Sequence, residues 1–196
     1  ATAILMVLAV LLMAGGCNAS STPTSRPLCV AGSTSVQPFA EKLAEIYMNL
    51  HPGARIDVQG GGSSAGIFAA SRGAADLGAS SRELVPAEKN LIEIPIAYDG
   101  IAIVVHPSNP LNSISLEEIR QIFSGQVTNW GALGEPPHRI HLITREEGSG
   151  TREAFEHLAM GKTEITPAAL VQDSNGAVRE IVAGDPHAIG YISAGL

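Results

Sequence analysis

The feature that most constrains this chain is a repeated order: a short apolar strand, a polar loop rich in glycine and serine, then a helix. Leu28-Cys29-Val30-Ala31 leads into Gly32-Ser33-Thr34-Ser35. A helical stretch from Val36 to Leu50 follows, with Val36, Phe39, Ala40, Leu43, Ile46, Tyr47 and Leu50 on one apolar stripe. Pro52-Gly53 ends it, Arg55 to Gln59 alternates like a strand, and Gly60 to Ser64 is a second loop before a helix to about Arg72. Ala75 to Ala79 reads as a third strand with Ser80-Ser81-Arg82 at its end. Such alternation predicts an α/β fold with mostly parallel sheets. In such sheets ligands bind beyond the carboxyl ends of the strands, where these loops lie.

Pro86-Ala87-Glu88 can open a helix. Ile94 to Val105 is a long apolar stretch broken at Asp99-Gly100, and its length and position suggest a strand crossing between two lobes. A second region begins near His106-Pro107. Ser115-Leu116-Glu117-Glu118 is a capping box opening a helix to about Phe123. Thr128-Asn129-Trp130 is a turn with an aromatic anchor, Ile140 to Thr144 a strand, Arg145 to Thr151 a polar loop, and Arg152 to Met160 a helix. Asp173-Ser174-Asn175-Gly176 opens another helix through Val182, and Ala188 to Ser193 is a final strand.

The N-terminus has a different character. Ala1 to Ala14 is almost wholly apolar and is followed by Gly15-Gly16-Cys17. The run is short for a membrane-spanning helix and suits the core of a signal peptide. Small residues ending at a cysteine resemble a bacterial lipoprotein signal, which implies lipidation at Cys17 and a location outside the cytoplasm. The usual leucine three residues before that cysteine is Ala14 here, and without an initiating Met or a basic leader the sequence reads as clipped at its start. Residues 1–17 are thus expected as a signal segment and 18–27, rich in Ser, Thr and Pro, as a flexible tether. Cys29 is the one other cysteine; if Cys17 carries lipid, no internal disulfide can form, and Cys29 is expected as a buried strand thiol.

Charge narrows the function. A formal net charge of −7 argues against nucleic-acid binding, which needs a basic patch. It leaves a small anion open, because local dipoles can hold one whatever the global charge. Four loops share the chemistry this requires: Gly32-Ser33-Thr34-Ser35, Gly62-Ser63-Ser64, Ser80-Ser81-Arg82 and Arg145-Glu146-Glu147-Gly148-Ser149-Gly150-Thr151. Each stands at a strand-to-helix junction, where helix N-termini expose unpaired N–H groups and partial positive charge. Any one loop is explained by helix capping alone. Together they describe a cage for a tetrahedral oxyanion, with Arg145 as the candidate bidentate cation.

These loops resemble the signature loops of the phosphate-binding proteins of phosphate ABC transporters: Gly32-Ser33-Thr34-Ser35-Val36-Gln37-Pro38, Gln59 to Gly66, Asp76 to Glu83 and Arg145 to Arg152. Tyr98-Asp99-Gly100, Thr128-Asn129-Trp130, Asp173 to Gly176 and Ala188 to Tyr191 match as well, so the resemblance runs from about Leu28 to the end. It implies a type II periplasmic-binding-protein fold: lobe 1 over 28–103, lobe 2 over 104–191, and 192–196 starting a return to lobe 1, with more chain expected beyond Leu196. It implies a monomeric receptor that captures inorganic phosphate, delivers it to a membrane permease, uses no cofactor and catalyses nothing. By the resemblance Thr34, Ser35, Ser63, Ser81, Arg145, Ser149, Gly150 and Thr151 hold phosphate, and Glu147 holds the arginine. Well-known members carry aspartate where this chain has Ser81, to accept the proton of phosphate and repel sulfate. A hydroxyl can accept a hydrogen bond but cannot repel by charge, so Asp99 or Asp173 is a candidate for that role and sulfate or molybdate an alternative ligand.

Other readings are weaker. Gly62-Ser63-Ser64-Ala65-Gly66 fits the nucleophile elbow of a serine hydrolase, with Ser64 attacking and Asp173 or Asp185 and His187 completing a triad. The same glycines loosely fit a dinucleotide-binding turn with Glu83 downstream. The six histidines are scattered, and no metal site is expected.

Overall fold

The computed structural model describes residues 26–195; the signal segment, Cys17, most of the tether and Leu196 lie outside them. Among the described residues seven strands form two sheets. The first has the order β2-β1-β3, from β1 (Leu28–Gly32), β2 (Ile56–Gly60) and β3 (Leu77–Ala79), all parallel. The second has the order β4-β7-β5-β6, from β4 (Ile101–Val105), β5 (His141–Arg145), β6 (Leu170–Gln172) and β7 (Ala188–Ser193). Here β4 runs antiparallel to β7, while β5 is parallel to both β6 and β7. The helices are α1 (Gln37–Leu50), α2 (Ser63–Ser71), α3 (Leu116–Phe123), α4 (Gly150–Phe155) and α5 (Asn175–Gly184).

Each parallel strand is reached through a helix, because parallel neighbours cannot be joined by a tight turn. The expected capping box forms: Ser115 Oγ accepts from the Glu118 amide at 3.2 Å, and Glu118 Oε2 accepts from the Ser115 amide at 2.7 Å. Arg152 to Met160 is not one regular helix, since α4 ends at Phe155 and passes into a π turn, Glu156–Met160. Pro86–Glu88 makes only a 3-10 turn. The short strand β6 lacks the period-2 run that would reveal it in sequence.

The second sheet carries the larger core. On one face Ile122, Phe123, Trp130, Phe155 and Tyr191 pack together, the Phe155 and Tyr191 rings stacking with centroids 4.0 Å apart. On the other, Val178 and Val182 of α5 pack on Ile143, Ala188 and Ile192. At roughly 1.5–3 kcal/mol for each large apolar side chain buried, these two layers dominate the stability of the lobe. The first lobe differs. The apolar stripe of α1 is on the surface, with Phe39, Leu43, Ile46, Tyr47 and Leu50 between 46% and 71% exposed.

The long crossing strand expected from Ile94 to Val105 is regular only over β4. Residues 91–100 run without strand pairing, and Ile92, Ile94, Ile96 and Tyr98 are exposed. An extended apolar run becomes a strand only when another strand pairs with it, and none among the described residues does. The expected lobe boundary after residue 103 falls inside β4, which pairs with β7 along its whole length. The passages between lobes lie just before β4 and just after β7, where the Ala194 amide donates to Gly100 O at 2.8 Å. Asp99 sits at this crossing, accepting from the Gly100 amide and from Ser193 Oγ.

Candidate functional site

The carboxyl ends of β1, β2, β3 and β5 point their loops at a common cleft. From β1 come Ser33 and Ser35, both buried, their hydroxyls 2.8 Å apart. Ser33 Oγ also donates to Ser81 Oγ at 3.0 Å. Ser63, the first residue of α2 and fully buried, lies 3.3 Å from Ser81 Oγ and accepts from the Ser81 amide at 3.1 Å. Four hydroxyls from three loops therefore form one connected cluster, which a single loop could not assemble.

The second lobe supplies the charge. Arg145 ends β5 and is 1% exposed. Its Nε donates to Glu146 Oε2 at 2.8 Å and its Nη2 to Glu146 Oε1 at 2.9 Å, a two-point charge-assisted pair. Nη2 also reaches across the cleft to Thr34 Oγ1 at 3.2 Å. The remaining nitrogen, Nη1, is buried and meets no hydrogen-bond acceptor among the described residues. A buried cationic donor without an acceptor carries a large desolvation penalty, so an anion is its natural partner.

The backbone of Arg145 is held as firmly as its side chain. Its amide donates to Tyr191 Oη at 3.2 Å, and that hydroxyl shares a 2.8 Å hydrogen bond with Thr144 Oγ1. Burial pushes the Tyr191 phenol up, so it stays neutral and able to donate. Arg152 Nη1 donates to Arg145 O at 3.0 Å.

Beyond Arg145 the chain turns through Gly148 and enters α4. Ser149 caps the helix, its Oγ accepting from the Arg152 amide at 3.3 Å, and Ser149, Gly150 and Thr151 are all buried. Gly150 is packed so closely that an added Cβ would lie 2.5 Å from both Ser63 Oγ and Ser81 Oγ. This close approach brings the second lobe onto the hydroxyl cluster of the first. The Ser64 amide donates to Gly148 O at 3.1 Å beside it. Next to Arg145 a cleft of about 380 Å³ opens, lined by Thr34, Gly60, Gly61, Glu146, Asp173 and Ser174.

All eight residues singled out around an oxyanion, Thr34, Ser35, Ser63, Ser81, Arg145, Ser149, Gly150 and Thr151, lie at this junction. Glu147 does not hold the arginine. It is exposed, and Glu146 takes that role, because β5 ends at Arg145 and the turn brings the next side chain back over the guanidinium. Asp99 is committed at the interlobe crossing, whereas Asp173 lines the cleft and its carbonyl accepts from Arg145 Nη2 at 3.4 Å. Asn175 was not singled out. It is 1% exposed, donates to Thr34 Oγ1 at 3.4 Å and accepts from the Ser193 amide at 3.2 Å. Its sequence signals are its place directly after the Ser174 cap of α5 and within the Asp173 to Gly176 stretch that resembles the family.

The hydrolase arrangement does not assemble. Ser64 Oγ accepts from Arg82 Nη2 at 3.0 Å, and an arginine cannot serve as a general base. His187 stacks on His138 with ring centroids 4.2 Å apart and Asp185 Oδ2 lies 2.6 Å from His141 Nδ1, whereas the Ser64 hydroxyl is bonded to Arg82. Among the described residues no group of three or more His, Cys, Asp or Glu could hold a metal ion. Cys29, expected to be buried, is half-buried in β1.

A family model described as a PBP superfamily domain matches residues 18–196. This chain belongs to the PBP superfamily. Within it the chain belongs with the substrate-binding proteins of phosphate ABC transporters, and its fold is the type II periplasmic-binding-protein fold. It is 37% identical over 175 residues to the phosphate-binding protein PstS of Bacillus subtilis, covering 86% of this chain and 57% of that protein. The chain therefore spans a little over half the length of that relative. Among solved structures, it is similar to a Clostridium perfringens protein described as a phosphate ABC transporter substrate-binding protein with bound phosphate. The TM-score is 0.82 at 40% identity, covering 86% of this chain and 71% of that one. It is also similar to an ABC-type phosphate transport receptor from Vibrio cholerae, with a TM-score of 0.63 at 38% identity and the same coverages.

Proposed function

We propose that this PBP-superfamily chain binds inorganic phosphate in the cleft between its lobes and delivers it to the permease of an ABC transporter. The observation that carries this reading is Arg145: a buried guanidinium with one free donor, set in the second lobe and hydrogen-bonded to the Thr34 hydroxyl of the first. Thr34, Ser35, Ser63 and Ser81 would bind from the first lobe by hydroxyl and amide. Ser149, Gly150 and Thr151 would cap the anion from the N-terminus of α4, where free amides favour negative charge. Glu146 would orient the arginine without neutralising its remaining edge. The site would act by binding alone, since the cluster holds neither an activated nucleophile nor a base beside one. The protein would work outside the cytoplasm, tethered by lipid at Cys17, as a monomer.

A second reading is a receptor for another tetrahedral oxyanion, favoured by Ser81. Its position within the hydroxyl cluster carries no charge to reject a fully ionised anion such as sulfate. Calorimetric titration with phosphate and then sulfate tests both. One-to-one phosphate binding without a sulfate response supports the first reading. Equal binding of both makes the site a general oxyanion receptor. No heat from either, with a folded protein, overturns both.

A further inference from the structure

Arg82 follows Ser81 directly, yet its side chain takes no part in the hydroxyl cluster. It is 9% exposed and spans the cleft. Within the first lobe its position is fully determined. Nη1 donates to Glu88 Oε2 at 2.8 Å and to Glu83 O at 2.9 Å, while Nη2 donates to Glu88 Oε1 at 2.9 Å and to Ser64 Oγ at 3.0 Å. The remaining edge, Nε, is buried and makes no hydrogen bond among the described residues, but it lies 3.1 Å from Glu153 Oε2 of the second lobe, an ion pair by distance alone. Glu153 lies on α4, three residues after Gly150, on the helix whose N-terminus closes onto Ser63 and Ser81.

We propose that Arg82 and Glu153 form a latch across the cleft that sets how long the two lobes stay closed over a bound anion. The inference rests on reading the cleft as an oxyanion site. Away from the interlobe crossing, the described contacts spanning the cleft are hydrogen bonds from Arg145 and Asn175 to Thr34, the hydrogen bond from Ser64 to Gly148, and this ion pair. Only here are both partners charged. The first two belong to the anion site itself, so they form and break with ligand. The latch lies outside it and pulls on closure alone.

Its construction suits a reversible device. Glu88 holds the arginine in place whether the lobes are open or shut, so closing needs to order only one further side chain, Glu153, which limits the entropic cost. On opening, Arg82 keeps Glu88, and Glu153, already 42% exposed, passes into water. Neither charge is left buried and unpaired, the outcome that would make opening prohibitively slow. Arg82 is thus a positioning residue: it acts on ligand through lobe geometry and touches none itself.

The test is Glu153→Gln in the full chain, which keeps shape and removes charge, read by stopped-flow release of phosphate. Release is expected to quicken about fivefold, the scale of one partly exposed ion pair, with association unchanged, since bond-making contacts act mainly on dissociation. Glu117→Gln, which removes a carboxylate pairing with Arg120 on α3 of the second lobe, is expected to leave release unaltered. Equal release rates in wild type and Glu153→Gln overturn the latch, as does equal quickening in Glu117→Gln. A folded wild type that binds no phosphate overturns the functional reading instead. The latch is then decided by small-angle scattering without ligand: a larger radius of gyration for Glu153→Gln supports it, and equal radii overturn it.

Discussion

Glu146 grips Arg145, its sequence neighbour, through two hydrogen bonds of 2.8 and 2.9 Å, and leaves Nη1 of the guanidinium free. Adjacent residues on a strand point to opposite faces. These two meet because the strand ends between them. The pairing separates two neighbouring acids that the sequence alone does not. Glu146→Gln is expected to weaken phosphate binding about tenfold by loosening the guanidinium, a loss of about 1.4 kcal/mol. Glu147→Gln is expected to change nothing, and calorimetry on both decides; a loss in Glu147→Gln alone would return the role to Glu147.

Arg145 cannot be replaced by another cation. Lysine offers a point charge on a flexible stem and cannot serve Glu146, Thr34 and an anion from one rigid fork. Arg145→Lys is expected to reduce affinity by about a hundredfold, about 2.7 kcal/mol. Circular dichroism should remain that of the wild type. Affinity within a few-fold of wild type would show that charge without geometry suffices.

Gly150 tests the closeness of the lobes. Alanine there would place Cβ 2.5 Å from Ser63 Oγ and Ser81 Oγ, nearer than packed atoms tolerate. The residue lies in a helix, where alanine is otherwise the better former. Gly150→Ala is therefore expected to keep the melting temperature within a few degrees while lowering phosphate affinity at least about tenfold. Unchanged affinity would mean that the lobes need not approach so closely.

Ser81→Asp would put a carboxylate beside Ser33 and Ser63. A carboxylate can accept the proton of monohydrogen phosphate and repels sulfate, which has none to give. The phosphate-over-sulfate affinity ratio is expected to rise at least about tenfold, measured by paired titrations. A ratio that falls would place selectivity elsewhere, with Asp173 the next residue to change.

The Arg82–Glu88 pair predicts a pH dependence. The Arg82 guanidinium, hydrogen-bonded to both oxygens, holds the Glu88 carboxyl down to about 2 from its ordinary value near 4.5. A folded value below the unfolded one stabilises the fold above the ordinary range, and that contribution is lost as pH falls from about 4.5 through about 2. Glu88→Gln is expected to cost on the order of 2 kcal/mol at neutral pH and to flatten the stability curve across that window. Urea unfolding of both proteins at several pH values checks it. Parallel curves would mean that the pair adds little.

The order of strands and helices was legible along the chain, because each element carries its own period and its own punctuation. Ser115 and Glu118 marked a helix start that the structure reproduces. Ile94 to Val105 misled for the same reason: a long apolar stretch states a tendency to pair, and whether a partner lies alongside is not a local property. The stripe of α1 likewise announced a buried face, yet among the described residues nothing covers it.

The site divides along the same line. Glycine, serine and threonine at the ends of predicted strands were enough to mark the loops, since parallel α/β topology sends those ends to one edge. What brought Ser33, Ser63 and Ser81 into one cluster was tertiary: three loops separated by tens of residues meet only when the sheet is assembled. The partners of Arg145 and Arg82 were decided there too. An ion pair depends on which side chains the folded backbone aims at each other. Composition shows how many acids are available and leaves open which one arrives, so Glu146 and Glu153 emerged only in three dimensions.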